Sequence, residues 1–461
     1  MAHGAESEAD VTAAAELAAF ASGVDAERLP VPARETVKRL LYDVAGLSVA
    51  ARNETYVRAA LKSAVSGGSA TAIGHAGGFG PYDAALINGT AAHGEDYDDT
   101  FEGGPVHAGA VIVPAVLAMA EHRKLSGAAT VAGLAAGVEI MCRMSLVAPQ
   151  AIHKAGFHPT AVIGAPAAAA AVATALGLEP ARIAHAIGIS GSLASGIIEY
   201  LADGSWTKRL HAGAAAQSGI RAALLAEGGF TGPATVLEGT HGFYKAFAPS
   251  RAADFAPLLD GLGSRWLLET LAFKPYACGT MTQPYIDCAI QLANEGLRAE
   301  DIVSMECEVG EGTVHRLWEP LAAKRAVPNG YAGKFSTPYC IAAGFLDRAA
   351  GFAQFTDERA TDPALRALAA KVSYLIDPGN EYPRNFSGHI RAVLNDGTVR
   401  EARKPHMRGG AREPLPLAEI ASKFRANARF GGWSGERTEE LAAALDRVAA
   451  LGPVNLSCAR G

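Results

Sequence analysis

The sequence predicts a mainly α protein that combines a large all-helical domain with a smaller α+β domain. Over the first 250 residues, segments rich in Ala, Leu and Glu repeat apolar residues at spacings of three and four, as helices do. After about residue 265 the pattern changes, and Ile302–Gly310 alternates with a period of two, which is typical of a half-buried strand. Asp396-Gly397 is a typical turn between the two strands of a hairpin.

The helices of the first part show small residues on many faces. This composition indicates helices that pack closely around one another rather than on a sheet. The predicted helices are Val11–Ser22, Ala33–Ala51, Ala110–Lys124, Ala128–Val147, Glu179–Tyr200 and Lys208–Glu227.

The second part mixes helices and strands before it returns to helix. Its predicted elements are helices at Pro284–Glu295 and Ser336–Ala349, strands at Ile302–Gly310 and Val372–Ile376, a hairpin over His389–Arg400, and helices at Leu417–Ala428 and Glu436–Leu451. We therefore predict a helical domain over residues 1–265 that residues 405–461 rejoin, and an α+β domain over residues 266–404.

Composition and charge restrict the classes of partner. A chain of 461 residues with 49% hydrophobic residues can bury a large core, and its net charge of −6 argues against nucleic acid or an anionic membrane, which bind basic surfaces. A small anionic substrate needs only a local positive cluster. Residues 161–178 carry no charge, but they are mostly alanine and so predict a buried helix rather than a membrane span.

Cysteine usage predicts the compartment and the absence of a metal site. The six cysteines form no C-x-x-C pair and no zinc or iron–sulfur spacing, which indicates reduced thiols. The N-terminus carries acidic residues where a signal peptide would be positively charged. We expect a cytoplasmic protein.

The densest polar cluster in an apolar context runs from His93 to Thr100 as His-Gly-Glu-Asp-Tyr-Asp-Asp-Thr, and His107 follows. Apolar segments flank it on both sides, so we expect it at the inner end of two buried helices. If the cluster is helical, Asp96 and Thr100 share a face at i, i+4, while Asp98 points elsewhere. Charged groups near a core need partners, which favours an active site; the alternative is that these aspartates cap helices in a loop.

A second motif is Gly156-Phe-His-Pro-Thr160, directly before an alanine-rich segment. His158 would precede the start of a helix, with Pro159 suited to its first turn. The imidazole could face a cleft and move a proton near neutral pH. The alternative is a histidine that only caps the helix.

A third motif, Trp206-Thr-Lys-Arg-Leu-His-Ala-Gly213, opens a mostly apolar segment with three basic side chains. Lys208 and His211 stand at i, i+3 and could share a helix face. Their charges would add to the helix dipole at its N-terminus, which is a suitable way to hold a carboxylate. The alternative is a solvated basic turn.

Seven elements occur together in a defined order: Asn88–Thr100, His107, Gly156–Thr160, Lys208–Gly213, Gly228–Pro233, Lys274–Tyr276 and Lys334–Tyr339. Over residues 10–450, this ordered set resembles the MmgE/PrpD family of 2-methylcitrate dehydratases, cis-aconitate decarboxylases and an iminodisuccinate epimerase. The resemblance implies a large helical domain, a smaller α+β lid, an active site between them, a homodimer, and no metal or organic cofactor. Matched by position, it implies catalytic roles for Asp96, His107, His158 and Lys208, and substrate-binding roles for Thr100, His211, Lys274 and Tyr339.

Two positions depart from the family pattern. Many members carry a histidine just after the Lys-Pro-Tyr element, whereas residues 277–284 read Ala-Cys-Gly-Thr-Met-Thr-Gln-Pro here. The usual His-Pro after the aspartate cluster is His107-Ala108. The first departure removes a candidate acid/base or substrate-contacting group.

The resemblance implies a lyase, either a dehydratase or a decarboxylase, that acts on a small di- or tricarboxylate such as 2-methylcitrate or cis-aconitate. Lys208 would offset negative charge that develops beside a carboxylate, and His158 or His107 would transfer the proton. Asp96 would orient a histidine or act as the base, and Thr100 would position a carboxylate. Epimerisation of an amino-diacid such as iminodisuccinate is the alternative reaction, and a binding protein that has lost activity is the alternative class.

A different class of enzyme also combines helices with clustered aspartates. Isoprenoid synthases hold Mg²⁺ and pyrophosphate between two acidic motifs on facing helices. Asp96-x-Asp98-Asp99 resembles one such motif, but the helical half of this sequence offers no comparable second cluster. The sequence therefore disfavours this class.

Overall fold

The computed structural model describes residues 11–461. Most of the acidic N-terminal stretch used to exclude a signal peptide lies outside the described residues. The described chain is mainly α, as predicted, with one four-stranded sheet and smaller strand pairings.

The helices of the first part follow the predicted segments closely, with one exception discussed below. In chain order they are α1 Ala13–Ser22, α2 Val31–Ala51, α3 Thr55–Ser63, α4 Pro81–His93, α5 Gly109–Arg123, α6 Gly127–Val147, α7 Ala151–Lys154, α8 Pro159–Ala175, α9 Pro180–Ser190, α10 Tyr200–Asp203, α11 Thr207–Glu227, α12 Phe243–Phe247 and α13 Ala256–Leu259.

The helices of the second part are shorter. They are α14 Gln283–Asn294, α15 Glu311–Leu317, α16 Leu321–Arg325, α17 Gly330–Gly333, α18 Thr337–Asp347, α19 Asp357–Ala360, α20 Pro363–Ala369, α21 Leu417–Phe430 and α22 Gly435–Ala449. The strands of the whole described chain are β1 Ser66–Ala70, β2 Thr100–Phe101, β3 Leu271–Ala272, β4 Ile302–Val309, β5 Val372–Ile376, β6 Gly388–Leu394 and β7 Val399–Lys404.

The four-stranded sheet confirms the strands predicted after residue 265. Its order is β5-β4-β6-β7, with β4 and β5 parallel and the other pairs antiparallel. Met305 pairs with Val372 on one side and Ala392 on the other, and Met305, Cys307 and Val309 are buried in alternation along β4. Helix α14 covers the sheet at β6 and β7. The alternation with a period of two in the sequence therefore predicted the buried face of β4 correctly.

The helical part is held together by small residues that allow close packing. Helices α4 and α11 cross where a Cβ atom on Gly89 would lie 2.6 Å from the Cα atom of Gly213. Only glycine permits this approach, and it brings the last residue of α4, His93, toward the first turn of α11. Helix α8, the predicted alanine-rich helix, packs between α6 and α11 and is buried.

One helix of the described chain, α6, is long and apolar enough to cross a membrane by length and composition alone. However, 94% of its most apolar window is buried inside the fold. A core helix of a globular domain gives the same signal.

The prediction of one continuous helix over Glu179–Tyr200 is wrong. Helix α9 ends at Ser190, and a loop follows before the short α10. Gly196 in this loop has a φ of 129°, which is incompatible with a helix, and its carbonyl accepts a hydrogen bond from the His158 amide at 2.9 Å. The break therefore fixes the backbone of a candidate catalytic residue.

The helices after residue 405 return to the first part of the chain, since α21 and α22 both pack on α2. The limits of the two domains stay a prediction.

Candidate active site

The polar cluster of the sequence forms a loop, residues 94–99, that we call the aspartate loop. It lies between α4 and β2 at the inner ends of α4 and α5, as predicted. The loop is not helical, because Asp96 has a φ of 56° in the left-handed region. Asp96 and Thr100 therefore do not share a helix face. A non-glycine residue in this conformation costs about 1–2 kcal/mol, so tertiary contacts must hold it.

Contacts from two distant parts of the chain hold the Asp96 carboxylate. Lys208, in the first turn of α11, forms an ion pair and a hydrogen bond with Oδ1. The hydroxyl of Tyr331, in α17, donates to Oδ2 at 3.0 Å. Asp96 thus joins the helical part to the second part of the chain through a charged group that is 4% exposed.

Asp98 points into the interior toward two histidines. Its Oδ2 lies 2.7 Å from Nδ1 of His93 and 3.6 Å from Nδ1 of His107. Nδ1 of His107 also lies 2.6 Å from the carbonyl oxygen of Asp99. Because a carbonyl only accepts, this nitrogen carries the proton, and the neutral His107 ring keeps its lone pair on Nε2.

Four histidines form a row of imidazoles, three of them buried and His107 half-buried, that we call the histidine row. Its order is His107, His93, His158 and His211, with ring centroids 5.0, 5.5 and 5.3 Å apart. Nδ1 of His158 lies 3.1 Å from Nδ1 of His211, and the ring of Tyr200 covers this pair. His158 is the N-cap residue of α8, as the capping alternative requires, but its side chain forms no capping hydrogen bond and contacts His211 instead.

Burial dominates the protonation of the histidine row. It lowers the pKa of His211 to about 4 and that of His107 to about 3, with Asp98 opposing the effect at His107. Burial also places the pKa of His158 well below the usual value, and the neighbouring positive charges act in the same direction. All three rings are therefore uncharged at neutral pH.

The three aspartates of the loop differ in charge. Burial acts to raise the pKa of Asp96, but Lys208 and Lys274 outweigh it and hold the pKa well below its usual value. Burial likewise opposes ionisation of Asp98, and its histidine neighbours lower the pKa below the usual value. Burial raises the pKa of Asp99 well above its usual value and so favours the protonated carboxyl.

Positive side chains surround the aspartate loop. Nζ of Lys274 donates to the carbonyl of Asp96 at 2.9 Å, and Nζ of Lys334 donates to the carbonyl of Glu95 at 2.8 Å. The guanidinium of Arg209 lies between the rings of Tyr56 and Tyr331, 4.4 and 4.2 Å from their centroids. The loop carboxylates pair with these cations, Glu95 with Lys334 and Arg209 and Asp96 with Lys208, so a small anion would have to compete for them.

Two family models match this chain. Residues 15–256 match the MmgE/PrpD N-terminal domain, and residues 276–447 match the MmgE/PrpD C-terminal domain. The chain belongs to the MmgE/PrpD family. Together the two matches cover most of the described chain.

Several relatives are named cis-aconitate decarboxylase. The protein from Aspergillus terreus is 29% identical over an alignment of 485 positions. The alignment covers 98% of this chain and 96% of that protein. The mouse protein (Mus musculus) is 31% identical over 76% of this chain and 72% of its own length, and the human protein (Homo sapiens) is 30% identical over 76% and 73%. These relatives support an enzyme of the lyase class with a decarboxylase or dehydratase role.

The structure brings together six of the eight residues that the MmgE/PrpD resemblance implied: Asp96, His107, His158, Lys208, His211 and Lys274. Thr100 is buried at the edge of the cluster in β2, where it pairs with Ala272, two residues before Lys274.

Tyr339 is not among the residues that meet at the aspartate loop. Its hydroxyl donates to the carbonyl of Gln354 at 2.6 Å, and its ring packs on Phe355 within the second part of the chain. Tyr331, eight positions earlier, contacts Asp96 instead. Sequence reasoning missed Tyr331 because nothing in its local pattern distinguishes it from other tyrosines. It also left His93 without a role, although His93 opens the predicted cluster.

The segment where many MmgE/PrpD members carry a histidine is held by its own side chains. Gln283 is fully buried, and its Nε2 donates to the carbonyls of Tyr276 and Cys278 at 3.0 and 3.1 Å. The amide of Gly279 donates to the carbonyl of Lys334 at 2.9 Å. The segment therefore supports the region around Lys334 by main-chain contacts.

One group of residues has the composition of a metal site. The ligand atoms of His93, Asp98 and His107 lie within 4.8 Å of one another. However, Nδ1 of His93 already forms a hydrogen bond with Asp98, and Nδ1 of His107 donates one to the Asp99 carbonyl.

The loop carboxylates point to different partners, because Asp96 binds Lys208 while Asp98 binds His93. This arrangement disfavours a shared Mg²⁺ site of the isoprenoid synthase kind. The absence of a metal stays a prediction.

Proposed function

We propose that this enzyme removes CO2 from a small unsaturated tricarboxylate, with cis-aconitate as the first candidate substrate. The observation that carries the proposal is the ion pair of Lys208 with Asp96. Lys274 and the uncharged ring of His158 lie beside this pair. Such a site offers fixed positive charge for carboxylates and an imidazole for the proton. The names of the relatives supply the candidate substrate.

The chemistry of the candidate substrate sets what the site must do. In cis-aconitate one carboxylate sits on a saturated carbon next to the C=C bond. When its C–C bond breaks, CO2 leaves and the electron pair spreads over the allylic carbons toward a remaining carboxylate. Protonation at the far carbon then completes the reaction, so one proton is consumed for each CO2 released.

In this proposal Lys208 and Lys274 bind the retained carboxylates and offset the negative charge that spreads toward them. Asp96 orients Lys208 before substrate arrives, and the Tyr331 hydroxyl fixes Asp96 from the other side. A substrate carboxylate would compete with Asp96 for Lys208. Lys208 would thus exchange its ion pair with Asp96 for an ion pair with the substrate carboxylate.

His158 would deliver the proton, with His211 as its hydrogen-bonded partner. Both rings are uncharged in the free enzyme, partly because positive side chains lie nearby. An anion with several carboxylates reverses that field and favours imidazolium. Substrate binding would therefore recruit the proton that the reaction consumes.

The test is turnover by the purified chain of cis-aconitate, 2-methylcitrate, citrate and iminodisuccinate in parallel. Decarboxylation is followed by CO2 release, dehydration by alkene absorbance, and epimerisation by loss of optical rotation. We expect CO2 release from cis-aconitate to be fastest. Alkene formation from a hydroxy acid without CO2 would favour a dehydratase, and loss of rotation alone would favour the epimerase.

The homodimer and the cytoplasmic location are also part of the proposal. They rest on the family resemblance and on the composition of the sequence. Light scattering after size-exclusion chromatography would test the dimer.

A further inference from the structure

A second buried ion pair lies next to the aspartate loop, at the main chain of Tyr97. Lys423 in α21 and Asp43 in α2 are 5% and 0% exposed, and Nζ lies 2.7 Å from Oδ1. Isolated buried charges are costly, so a pair with this burial needs further polar contacts.

Those further contacts are main-chain carbonyls of the active site. Nζ of Lys423 donates to the carbonyl of Tyr97 at 2.7 Å and to the carbonyl of Lys274 at 3.0 Å. An ammonium has three N–H groups, and three oxygen atoms surround this one. The ammonium also lies 3.7 Å from the centroid of the Tyr97 ring.

The two carbonyls belong to different segments that must meet correctly. Tyr97 stands between Asp96 and Asp98 in the aspartate loop, and Lys274 follows β3. Lys274 in turn donates to the carbonyl of Asp96. Lys423 therefore joins the aspartate loop to the segment that carries Lys274, and Lys274 itself binds the same loop.

Together with Lys334, these lysines bind three successive carbonyls of the loop. Lys334 binds Glu95, Lys274 binds Asp96, and Lys423 binds Tyr97, each from a different part of the chain. The middle residue of these three, Asp96, has the left-handed backbone conformation. Since that conformation is unfavourable by itself, the loop depends on these donors.

We propose that Lys423, through its contacts with the carbonyls of Tyr97 and Lys274, is a positioning residue that sets the aspartate loop and Lys274 for turnover. Its ammonium contacts main-chain oxygens of the site and acts on the reaction through Asp96, Asp98 and Lys274. This inference rests on the proposed lyase function. Its structural part, the control of loop conformation, is independent of the substrate.

The test compares a graded set of variants. Asp43→Asn keeps both carbonyl contacts of Lys423, so we expect a lower melting temperature with kcat within threefold of wild type. Asp43→Asn/Lys423→Met removes the pair without leaving a buried charge and also removes both donors. For this double variant we expect kcat per folded molecule to fall at least tenfold, with a smaller change in KM.

A matched control is available in α6. Glu139 and Arg143 form another ion pair with both side chains fully buried, and Arg143 also donates to main-chain carbonyls, those of residues 257–265. Glu139→Gln/Arg143→Met should lower stability while kcat per folded molecule stays within threefold. Circular dichroism at the assay temperature gives the folded fraction of each variant.

If Asp43→Asn/Lys423→Met does not fold, Asp43→Asn/Lys423→Gln replaces it. Its shorter side chain retains a donor but cannot reach both carbonyls, and we expect at least a fivefold loss of kcat. A kcat per folded molecule equal to that of the Glu139/Arg143 control would overturn the proposal.

A crystal structure of the folded double variant provides a readout that needs no substrate. We expect residues 95–98 to shift and Asp96 to leave the left-handed region while α2 and α21 stay packed. An unchanged loop overturns the proposal even if activity falls. If wild type turns over none of the tested carboxylates, the proposed function fails, and the loop geometry still decides the role of Lys423.

Discussion

His158 and His211 face each other through their Nδ1 atoms, 3.1 Å apart, in the histidine row. Only one of two neutral rings can donate in such a pair, so the proton on one ring determines the tautomer of the other. This relationship places a movable proton near Lys208, whose positive charge acts on both rings.

Replacement of His158 by Gln should lower kcat on the true substrate by about 10²–10⁴-fold, since the amide preserves polarity but cannot transfer a proton. Steady-state kinetics would measure the effect, and KM should change little because carboxylate binding stays with the lysines. A variant with kcat near that of wild type would assign proton transfer to another ring of the histidine row.

Lys208→Met should lower kcat/KM by about 10²–10³-fold, because the carboxylate of the substrate loses its main cation. Without Lys208, burial acts on Asp96 with less opposition and favours its protonated form. Lys245→Met, at an exposed position in α12, is the control for loss of one lysine and should behave as wild type. Equal kinetics for the two variants would remove Lys208 from the site.

The two tyrosines allow a direct comparison of the sequence-based assignment with the structure. Tyr331→Phe removes a hydrogen bond to the charged Asp96 and should lower kcat/KM by about tenfold. Tyr339→Phe removes a bond to the Gln354 carbonyl and should mainly lower stability. Kinetics and melting curves of both variants would distinguish them, and the reverse ranking would support the original assignment of Tyr339.

The histidine row should make stability depend on pH below about 6.5. In the unfolded chain His211 binds a proton near its ordinary pKa of 6.5, whereas in the folded protein it does so only near 4. The unfolded state therefore binds more protons between these values, and stability falls as pH falls, by up to about 1.4 kcal/mol per pH unit for each such histidine.

Melting temperatures between pH 7 and pH 5 would measure this slope for wild type and for His211→Gln. We expect a shallower slope for the variant, since one of the buried neutral histidines is gone. Parallel curves would mean that His211 is protonated in the folded protein at these pH values.

Metal removal should leave activity unchanged. Although His93, Asp98 and His107 lie close enough to bind an ion, their hydrogen bonds already account for both Nδ1 atoms. Dialysis against EDTA, followed by assay with and without added Zn²⁺ or Mg²⁺, would check this. A loss on dialysis that Zn²⁺ reverses would identify these three residues as a metal site.

Local patterns in the sequence predicted much of the fold. The alternation in Ile302–Val309, the Asp396-Gly397 turn and the helix start after His158 all depend on neighbours a few positions apart. The ordered motifs also indicated that Asp96, His158 and Lys208 belong to one site, and the structure places these side chains in a single cluster.

Tertiary structure alone decided how those residues meet. The row of four imidazoles joins residues separated by many positions, and so does the contact of Asp96 with Tyr331 rather than Tyr339. The left-handed conformation of Asp96 depends on such contacts. Such contacts depend on how closely helices approach, as at Gly89 and Gly213, and on buried lysines that bind main-chain carbonyls. Sequence spacing determines which residues share a face, whereas packing determines which faces touch.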